Sequence, residues 1–140
     1  MAKNARGSRI PAHKRPKYAH WVLRAAAYLI DVGIVALVLL GAVALDRALI
    51  GGIVGLVLVA ANRWYLGGRT GQTVGRRLLR IRLASVDSGE PIGPWRALLR
   101  DVAHLFDTVS LLAGWFFPIW DAQRQTFADK LLRTHVTLVR

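Results

Sequence analysis

Residues 21–45 read WVLRAAAYLIDVGIVALVLLGAVAL and form the longest apolar run of the chain. The run is long enough to cross a bilayer, because about 20 apolar residues span the hydrocarbon core as a helix. It nevertheless contains Arg24 and, near its middle, Asp31. An aspartate at the centre of a spanning helix costs about 2.5 to 3.5 kcal/mol, so it is normally kept where it faces a partner, a cavity or an ion pathway. Asp31 is therefore the first candidate for a functional residue.

A second apolar run, about residues 48–66, follows after only a few residues and ends with the interfacial aromatic residues Trp64 and Tyr65. The two runs predict an all-α membrane protein with two transmembrane helices and a very short loop between them. A signal peptide has an apolar core of roughly 7 to 15 residues, and the first run is longer and contains Asp31. We therefore favour an uncleaved span over a cleaved signal sequence.

The chain has 140 residues and a net charge of +12, with 54% hydrophobic residues. Its basic residues cluster in a tail at 1–18, in a loop at 67–96 and in the C-terminal segment 121–140. The positive-inside rule assigns all three to the cytoplasm, which predicts a multi-pass protein of the bacterial plasma membrane with a cytoplasmic N-terminus. The tail carries no acid and cannot bury a core, so we expect it to be disordered. Beside a span, anionic headgroups are a better partner for it than nucleic acid.

Four arginines of the 67–96 loop are expected to contact lipid headgroups or, less favoured, an anionic partner: Arg76, Arg77, Arg80 and Arg82. There is no cysteine, and the four histidines lack the spacing of metal ligands, so neither a metal nor a cofactor is expected. His104, Asp107 and Ser110 superficially resemble a catalytic set. They crowd onto one short helix without an oxyanion site, and we therefore expect no enzymatic activity.

A third hydrophobic region, residues 97–120, is interrupted in its first half by charged residues. A single span through it would place the basic segment 121–140 outside, whereas a re-entrant helical hairpin returns that segment to the cytoplasm. We favour the hairpin, and the third span stays open. Before this region, the alternation of Ile81 and Leu83 and a turn around Gly89 predict a short extended hairpin in the cytoplasmic loop.

Two further patterns concern packing and repetition. Gly51 and Gly55 form a small-xxx-small pair, through which the second span could pack on the first span or on a second copy. The segment QTVGRRLLRIRL at 72–83 aligns with QTFADKLLRTHV at 125–136, with five identical positions. A true duplication would require both copies to lie on the same side of the membrane.

Several of these residues together resemble the RDD family of small bacterial membrane proteins. The resemblance rests on Arg24 and Asp31 in the first helix, on GQTVGRRLLRIRL at 71–83, on RALLRD at 96–101 and on RQTFADKLLRTHV at 124–136. It implies a helical membrane domain from about residue 19 to the C-terminus. The family usually has a lysine where this chain has Arg76, which keeps the charge but changes the donor geometry.

The resemblance also implies a set of signature residues. The named arginine and the first aspartate correspond to Arg24 and Asp31, and for the second aspartate we prefer Asp129 to Asp107 or Asp101. The molecular function of the family is largely undefined, with ion or solute transport proposed for it.

Two functional hypotheses follow for Asp31. In the first, Asp31 forms a proton or small-cation site for transport, with Asp107 or Asp101 facing it. In the second, Asp31 serves helix packing only, and the protein is an accessory or scaffold subunit, as a homo-oligomer or within a larger membrane complex.

Overall fold

The structure is a computed structural model that describes residues 16–109 and 113–139. Helix α1 spans Trp21–Ala44, and α2 spans Ala48–Val59. The second helix continues without a break through a π-helical segment, Ala60–Leu66, into α3, Gly67–Thr70. Both helical stretches are long and apolar enough to cross a membrane, which confirms the two predicted helices.

The two long helices form an antiparallel hairpin. Gly51 and Gly55 are buried on its inner face, where a side chain on Gly51 would collide with Ala42 and one on Gly55 would touch Val35. The glycine pair therefore packs span on span within the chain, and this face is not free for a second copy. The outer faces expose leucines, among them Leu37 and Leu49, as expected for helices that contact lipid.

The remaining described residues form a layer at the end of the hairpin where α1 begins and α3 ends. We call this part, residues 71–109 and 113–139, the polar layer. Its helices and strands are α4 (Val74–Leu78), β1 (Ile81–Ser85), α5 (Pro94–Val109), α6 (Ala113–Phe116), a 3₁₀ turn (Phe117–Ile119), α7 (Phe127–Leu131) and β2 (Thr134–Leu138). Its small core joins β1, β2 and α5 to the start of α1 and contains Ala19, Ala27, Ile81, Leu83, Ile92, Ala97 and Val136.

The predicted local hairpin after Ile81 is wrong in its pairing. Strand β1 exists, but its partner is β2, in an antiparallel ladder that sets Leu83 opposite Val136. The residues after β1 close a turn instead, with the amides of Ser85 and Gly89 donating to the carbonyls of Glu90 and Ser85 respectively. The strand from the second repeat matches β1 in length and satisfies its backbone groups over five residue pairs, which the short segment before Ile92 cannot do.

The third hydrophobic region folds back on itself. Helix α5 is amphipathic and turns Arg100, His104 and Asp107 inward, while α6 returns against it and sets Trp115 on the ring of His104. The described residues thus form two helices that pack on each other and not one continuous helix through 102–120, and the re-entry of this region into the membrane stays a prediction. Among the described residues, only the two long apolar stretches have the length and composition of spans.

Most of the predicted basic tail, residues 1–15, lies outside the described residues. The last three residues of that tail, 16–18, are described, and two of them contact β2. The carbonyl of Lys17 accepts a hydrogen bond from the amide of Leu138, and Tyr18 forms a β-bridge with Thr137. The segment that leads into α1 is therefore held against the free edge of β2.

Candidate functional site

The two QT segments fold into the same structure. In the first QT turn, residues 72–83, Thr73 caps α4, and in the second, residues 125–136, Thr126 caps α7. The Gln72 amide donates to the carbonyl of Ile81 at 3.0 Å, and the Gln125 amide donates to the carbonyl of Thr134 at 2.7 Å. Each turn then passes through an arginine in the left-handed region, Arg80 and Arg133, both at φ +52°. The sequence echo is therefore a structural repeat.

The repeat extends into the preceding helices, which the sequence reasoning missed. Both helices carry an arginine seven positions before an aspartate: Arg24 before Asp31 in α1, and Arg100 before Asp107 in α5. Each aspartate accepts a hydrogen bond from the backbone amide of the second residue of a short helix, α4 or α7. The Gly75 amide of α4 donates to Asp31 at 2.9 Å, and the Ala128 amide of α7 donates to Asp107 at 3.3 Å. The sequence contained a signal for this longer repeat. The spacing from arginine to aspartate is the same in both helices, and an alanine follows each arginine by three positions.

Asp129 is where the two halves of the repeat meet. Its carboxylate is fully buried and accepts from the guanidinium of Arg24 on one oxygen and from that of Arg100 on the other, with Arg100 Nε at 2.8 Å. Thr134 Oγ1 donates to it at 3.0 Å, and the Thr126 amide donates at 3.2 Å. Burial by itself would raise the pKa of Asp129, but the guanidiniums of Arg100 and Arg24 hold that pKa well below its usual range. Asp129 is thus a charged carboxylate that two helices share.

Asp31 is buried between α1, the π-helical segment and α4. Its Oδ1 accepts from Asn62 Nδ2 at 2.8 Å and from the Gly75 amide at 2.9 Å. Position 75 has to be glycine, because a Cβ there would run into the backbone of Ala27 in α1. The ring of Tyr28, three positions before Asp31 on α1, lies 5.2 Å from the guanidinium carbon of Arg63.

Asp101 and Asp107 have partners of their own. Arg63 donates to Asp101 with Nε and Nη2 at 2.8 and 2.7 Å, and Trp64 Nε1 adds a third bond at 3.0 Å. Asp107 lies 2.5 Å from His104 Nδ1. Neither carboxylate lines the two cavities that border Asp31, and a site that one of them shares with Asp31 stays a prediction. Ser110, the third member of the superficial catalytic set, lies outside the described residues.

A cavity of about 390 Å³ opens between α1, α5 and the QT turns. Four guanidiniums line it, from Arg24, Arg63, Arg76 and Arg100, and we call it the arginine cavity. Among the described residues, Asp31 supplies the one carboxylate of its lining. A second, mainly apolar cavity of about 250 Å³ lies between α1 and α2 and also borders Asp31.

The four loop arginines divide into different environments. Arg77 and Arg80 are exposed, and Arg82 is half-buried with Glu90 3.6 Å away. Arg76 instead packs against the interior of the protein. It keeps intermediate solvent exposure, and it lines the arginine cavity. Burial, together with the charges of Arg100, Arg63 and Arg24, lowers the pKa of Arg76 to about 9. The set of four therefore contains one inward-facing cation.

Comparison with known proteins gives the family. The chain is 38% identical to the "Proline-rich antigen homolog" of Mycobacterium tuberculosis over 80 residues, which cover 57% of this chain and 33% of that protein. It is 38% identical to the "Proline-rich antigen" of Mycobacterium leprae over 73 residues, or 52% of this chain and 29% of that protein. The chain thus matches about a third of the length of these relatives, and no solved structure matches it significantly.

The sequence profile of the RDD family matches residues 18–133, which is most of the chain. The matched range begins just before α1, includes both QT helices and ends as the chain enters β2. The relatives and the two long apolar helices agree in describing a membrane-associated protein of undefined function. The chain belongs to the RDD family.

Proposed function

We propose that this protein is an accessory or scaffold subunit of a larger assembly in the bacterial plasma membrane, and that Asp31 serves helix packing within it. The observation that carries the proposal is the hydrogen bonding of Asp31. Both donors, the Asn62 amide and the Gly75 backbone, are uncharged, and both use the same carboxylate oxygen. Asp31 therefore joins three segments of one chain, and no arginine or lysine of residues 16–109 and 113–139 forms an ion pair with it.

The surroundings of Asp31 fit packing better than cation binding. A small cation prefers several oxygen ligands, and the neighbouring groups are N–H donors. The two cavities beside it also contain arginine side chains, which repel a cation. Hydrogen bonds of this kind between membrane helices contribute about 0.6 to 2 kcal/mol each, enough to fix how α1 meets the second helix.

The proposal includes an orientation in which the polar layer faces the cytoplasm. It rests on the excess of basic residues in the loop and in the C-terminal segment. Because the chain has no cysteine, single cysteines report topology cleanly. Arg47→Cys, in the short loop between the long helices, should react with an impermeant maleimide in intact cells, and Ser88→Cys should react only after permeabilisation. The reverse pattern would overturn the orientation.

Substitution of Asp31 tests the packing role. Asp31→Asn keeps an oxygen that can accept both N–H groups, so its abundance and thermal stability should stay close to those of the wild type. Asp31→Leu leaves Asn62 and Gly75 without their acceptor and should lower both. Equal stability of Asp31→Leu and wild type would contradict the packing role.

The accessory role predicts a partner. Purification of the full chain in a mild detergent, followed by mass measurement, should yield a complex heavier than the monomer that contains a second kind of membrane protein. A mass that corresponds to the chain alone would contradict the proposal.

Proton or small-cation transport is the second candidate, and one observation favours it. Asp31 borders both cavities and so lies at the point where a path between them would pass. Liposomes that contain the purified protein should then dissipate a proton or sodium gradient faster than empty liposomes. Asp31→Asn should abolish that flux while its abundance is kept, a result that would replace the packing proposal.

A further inference from the structure

Four arginines line the arginine cavity, and carboxylates form ion pairs with three of them. Arg63 is bound by Asp101, and Arg24 and Arg100 share Asp129. Arg76 is different, because its guanidinium has no hydrogen-bond acceptor and no ion-pair partner among the described residues. The backbone amide of Arg76 donates to Thr73 Oγ1 at 3.2 Å, and Arg76 is one of the residues that line the arginine cavity.

A cation in this position is costly. The pKa of Arg76 is lowered by burial and by the three neighbouring guanidiniums, yet at about 9 it stays above neutral pH, so the side chain remains charged. A charge removed from water without a partner destabilises the protein that carries it.

We propose that the arginine cavity binds a phosphate group, with Arg76 as its principal ligand. A guanidinium recognises phosphate through paired N–H donors, and several guanidiniums around one cavity match the several oxygens of such a group. The cavity volume of about 390 Å³ lies within the usual range for small-ligand sites. Asp31, the carboxylate in the lining, has its Oδ1 turned to Asn62 and Gly75.

The position of the cavity suits a phosphate that is attached to lipid. Trp21, Tyr28 and Trp115 contribute to its wall, and such aromatic residues favour the region between headgroups and acyl chains. The cavity also lies at the end of the two apolar helices where α1 begins, the level at which headgroups would lie. The phosphate could also be free in solution, and the two sources are distinguishable by experiment. The lipid source rests on the proposed orientation in the membrane, whereas binding of free phosphate does not.

The test uses the full chain in dodecyl maltoside micelles, which contain no phosphate, with thermal unfolding as the readout. One series is titrated with inorganic phosphate against sodium chloride of matched ionic strength, and a second is titrated with phosphatidylglycerol against an equal amount of a phosphate-free glycolipid. We expect a saturable rise of the unfolding midpoint in at least one series. A rise with phosphatidylglycerol alone assigns a headgroup, and a rise with inorganic phosphate alone assigns the free ion. No rise in either series overturns the proposal.

Substitutions separate the site from general surface charge. Arg76→Gln should weaken the apparent affinity about tenfold or more, because it removes a charged hydrogen-bond donor. Arg77→Gln removes the same charge from the exposed neighbour on α4 and should leave the affinity within about twofold of the wild type. Arg76→Lys should recover part of the binding. Equal losses in Arg76→Gln and Arg77→Gln would overturn the proposal.

The outcome is separable from that of the proposed function. Flux through Asp31 or an inverted orientation would overturn the proposed function and leave the inorganic phosphate titration unaffected. A flat titration in both series would reject the phosphate site and leave the packing role of Asp31 unaffected.

Discussion

The two QT turns have the same backbone and opposite charges at the same position. The third helical residue is Arg76 in the first turn and Asp129 in the second. Asp129 accepts from the Thr126 amide to complete a capping box and is neutralised by arginines from α1 and α5. Arg76 has no such partner among the described residues and borders the cavity. The same local motif thus carries a neutralised carboxylate in one turn and a cation that lines the cavity in the other.

The turns also differ in how closely a helix approaches them. The second helical residue is Gly75 in the first turn and Ala128 in the second, and each donates its amide to an aspartate. At Gly75 the backbone of Ala27 in α1 leaves no room for a side chain. At Ala128 a methyl group fits beneath α5. The long apolar helix therefore packs closer to its QT turn than the shorter amphipathic helix packs to the other.

The largest effect is expected at the shared carboxylate. Asp129→Asn leaves two guanidiniums, those of Arg24 and Arg100, without a counter-charge in a buried setting. We expect a loss of about 3 to 5 kcal/mol in the free energy of unfolding, because breaking a buried ion pair on one side leaves uncompensated charge. Equilibrium unfolding in a mild detergent measures it.

Asp87→Asn is the matched control, since it removes a carboxylate from the exposed pair with Arg133 and should cost less than about 1 kcal/mol.

Acid should also reduce the stability that this buried carboxylate provides. The guanidiniums of Arg100 and Arg24 hold the pKa of Asp129 well below its ordinary value, so the stabilisation is complete above that ordinary value and is lost as the pH falls below it. Asp129→Asn should therefore lose less stability between pH 5 and pH 3 than the wild type does. Equal acid sensitivity would contradict the shared-carboxylate account.

The second-largest effect is expected where α1 packs against Gly75 of the first QT turn. Gly75→Ala should destabilise the protein by about 1 to 3 kcal/mol, because the added methyl group meets backbone atoms of Ala27 that cannot turn aside. At the equivalent position, Ala128→Gly should cost only about 1 kcal/mol, the usual difference in helix propensity. The two variants are compared by the same unfolding measurement. A smaller loss in Gly75→Ala than in Ala128→Gly would show that α1 can move away from the turn.

The smallest effect has the opposite sign. Arg76→Gln should stabilise the protein by about 1 kcal/mol in neutral detergent without phosphate, because it removes a buried cation that has no partner. The substitution at the equivalent position, Asp129→Asn, destabilises. Arg77→Gln is the control and should change stability by less than about 0.5 kcal/mol. Destabilisation by Arg76→Gln in phosphate-free conditions would mean that Arg76 has a structural partner.

Much of the local structure was readable from the sequence, and the pairings were not. The apolar runs predicted both long helices because burial in lipid depends on length and composition, which are local properties. The echo of 72–83 in 125–136 predicted two similar turns. The partner of β1 could not be predicted, because β2 begins almost 50 residues after β1 ends and strand pairing depends on how the chain returns. The predicted local hairpin failed for that reason.

The candidate site shows the same division. The sequence singled out Arg24, Asp31 and Asp129, and it offered Asp107 or Asp101 as the residue that faces Asp31. In the structure their partners come from other elements: Asp31 contacts the π-helical segment and α4, and Asp129 joins α1 to α5. The repeated spacing of an arginine and an aspartate in α1 and α5 was present in the sequence. Its meaning became clear only when both aspartates were seen to bind equivalent amides.

The sequence by itself determined the two long apolar helices, the two capped QT turns and the excess of positive charge, because helix length, capping and charge are written in neighbouring residues. Only the tertiary structure decided which charges are neutralised. Ion pairing depends on distances between segments far apart in the chain, and these distances are set by the β1–β2 ladder and by the packing of Gly75 on α1. That packing gives Asp129 two arginines and leaves Arg76 facing the cavity.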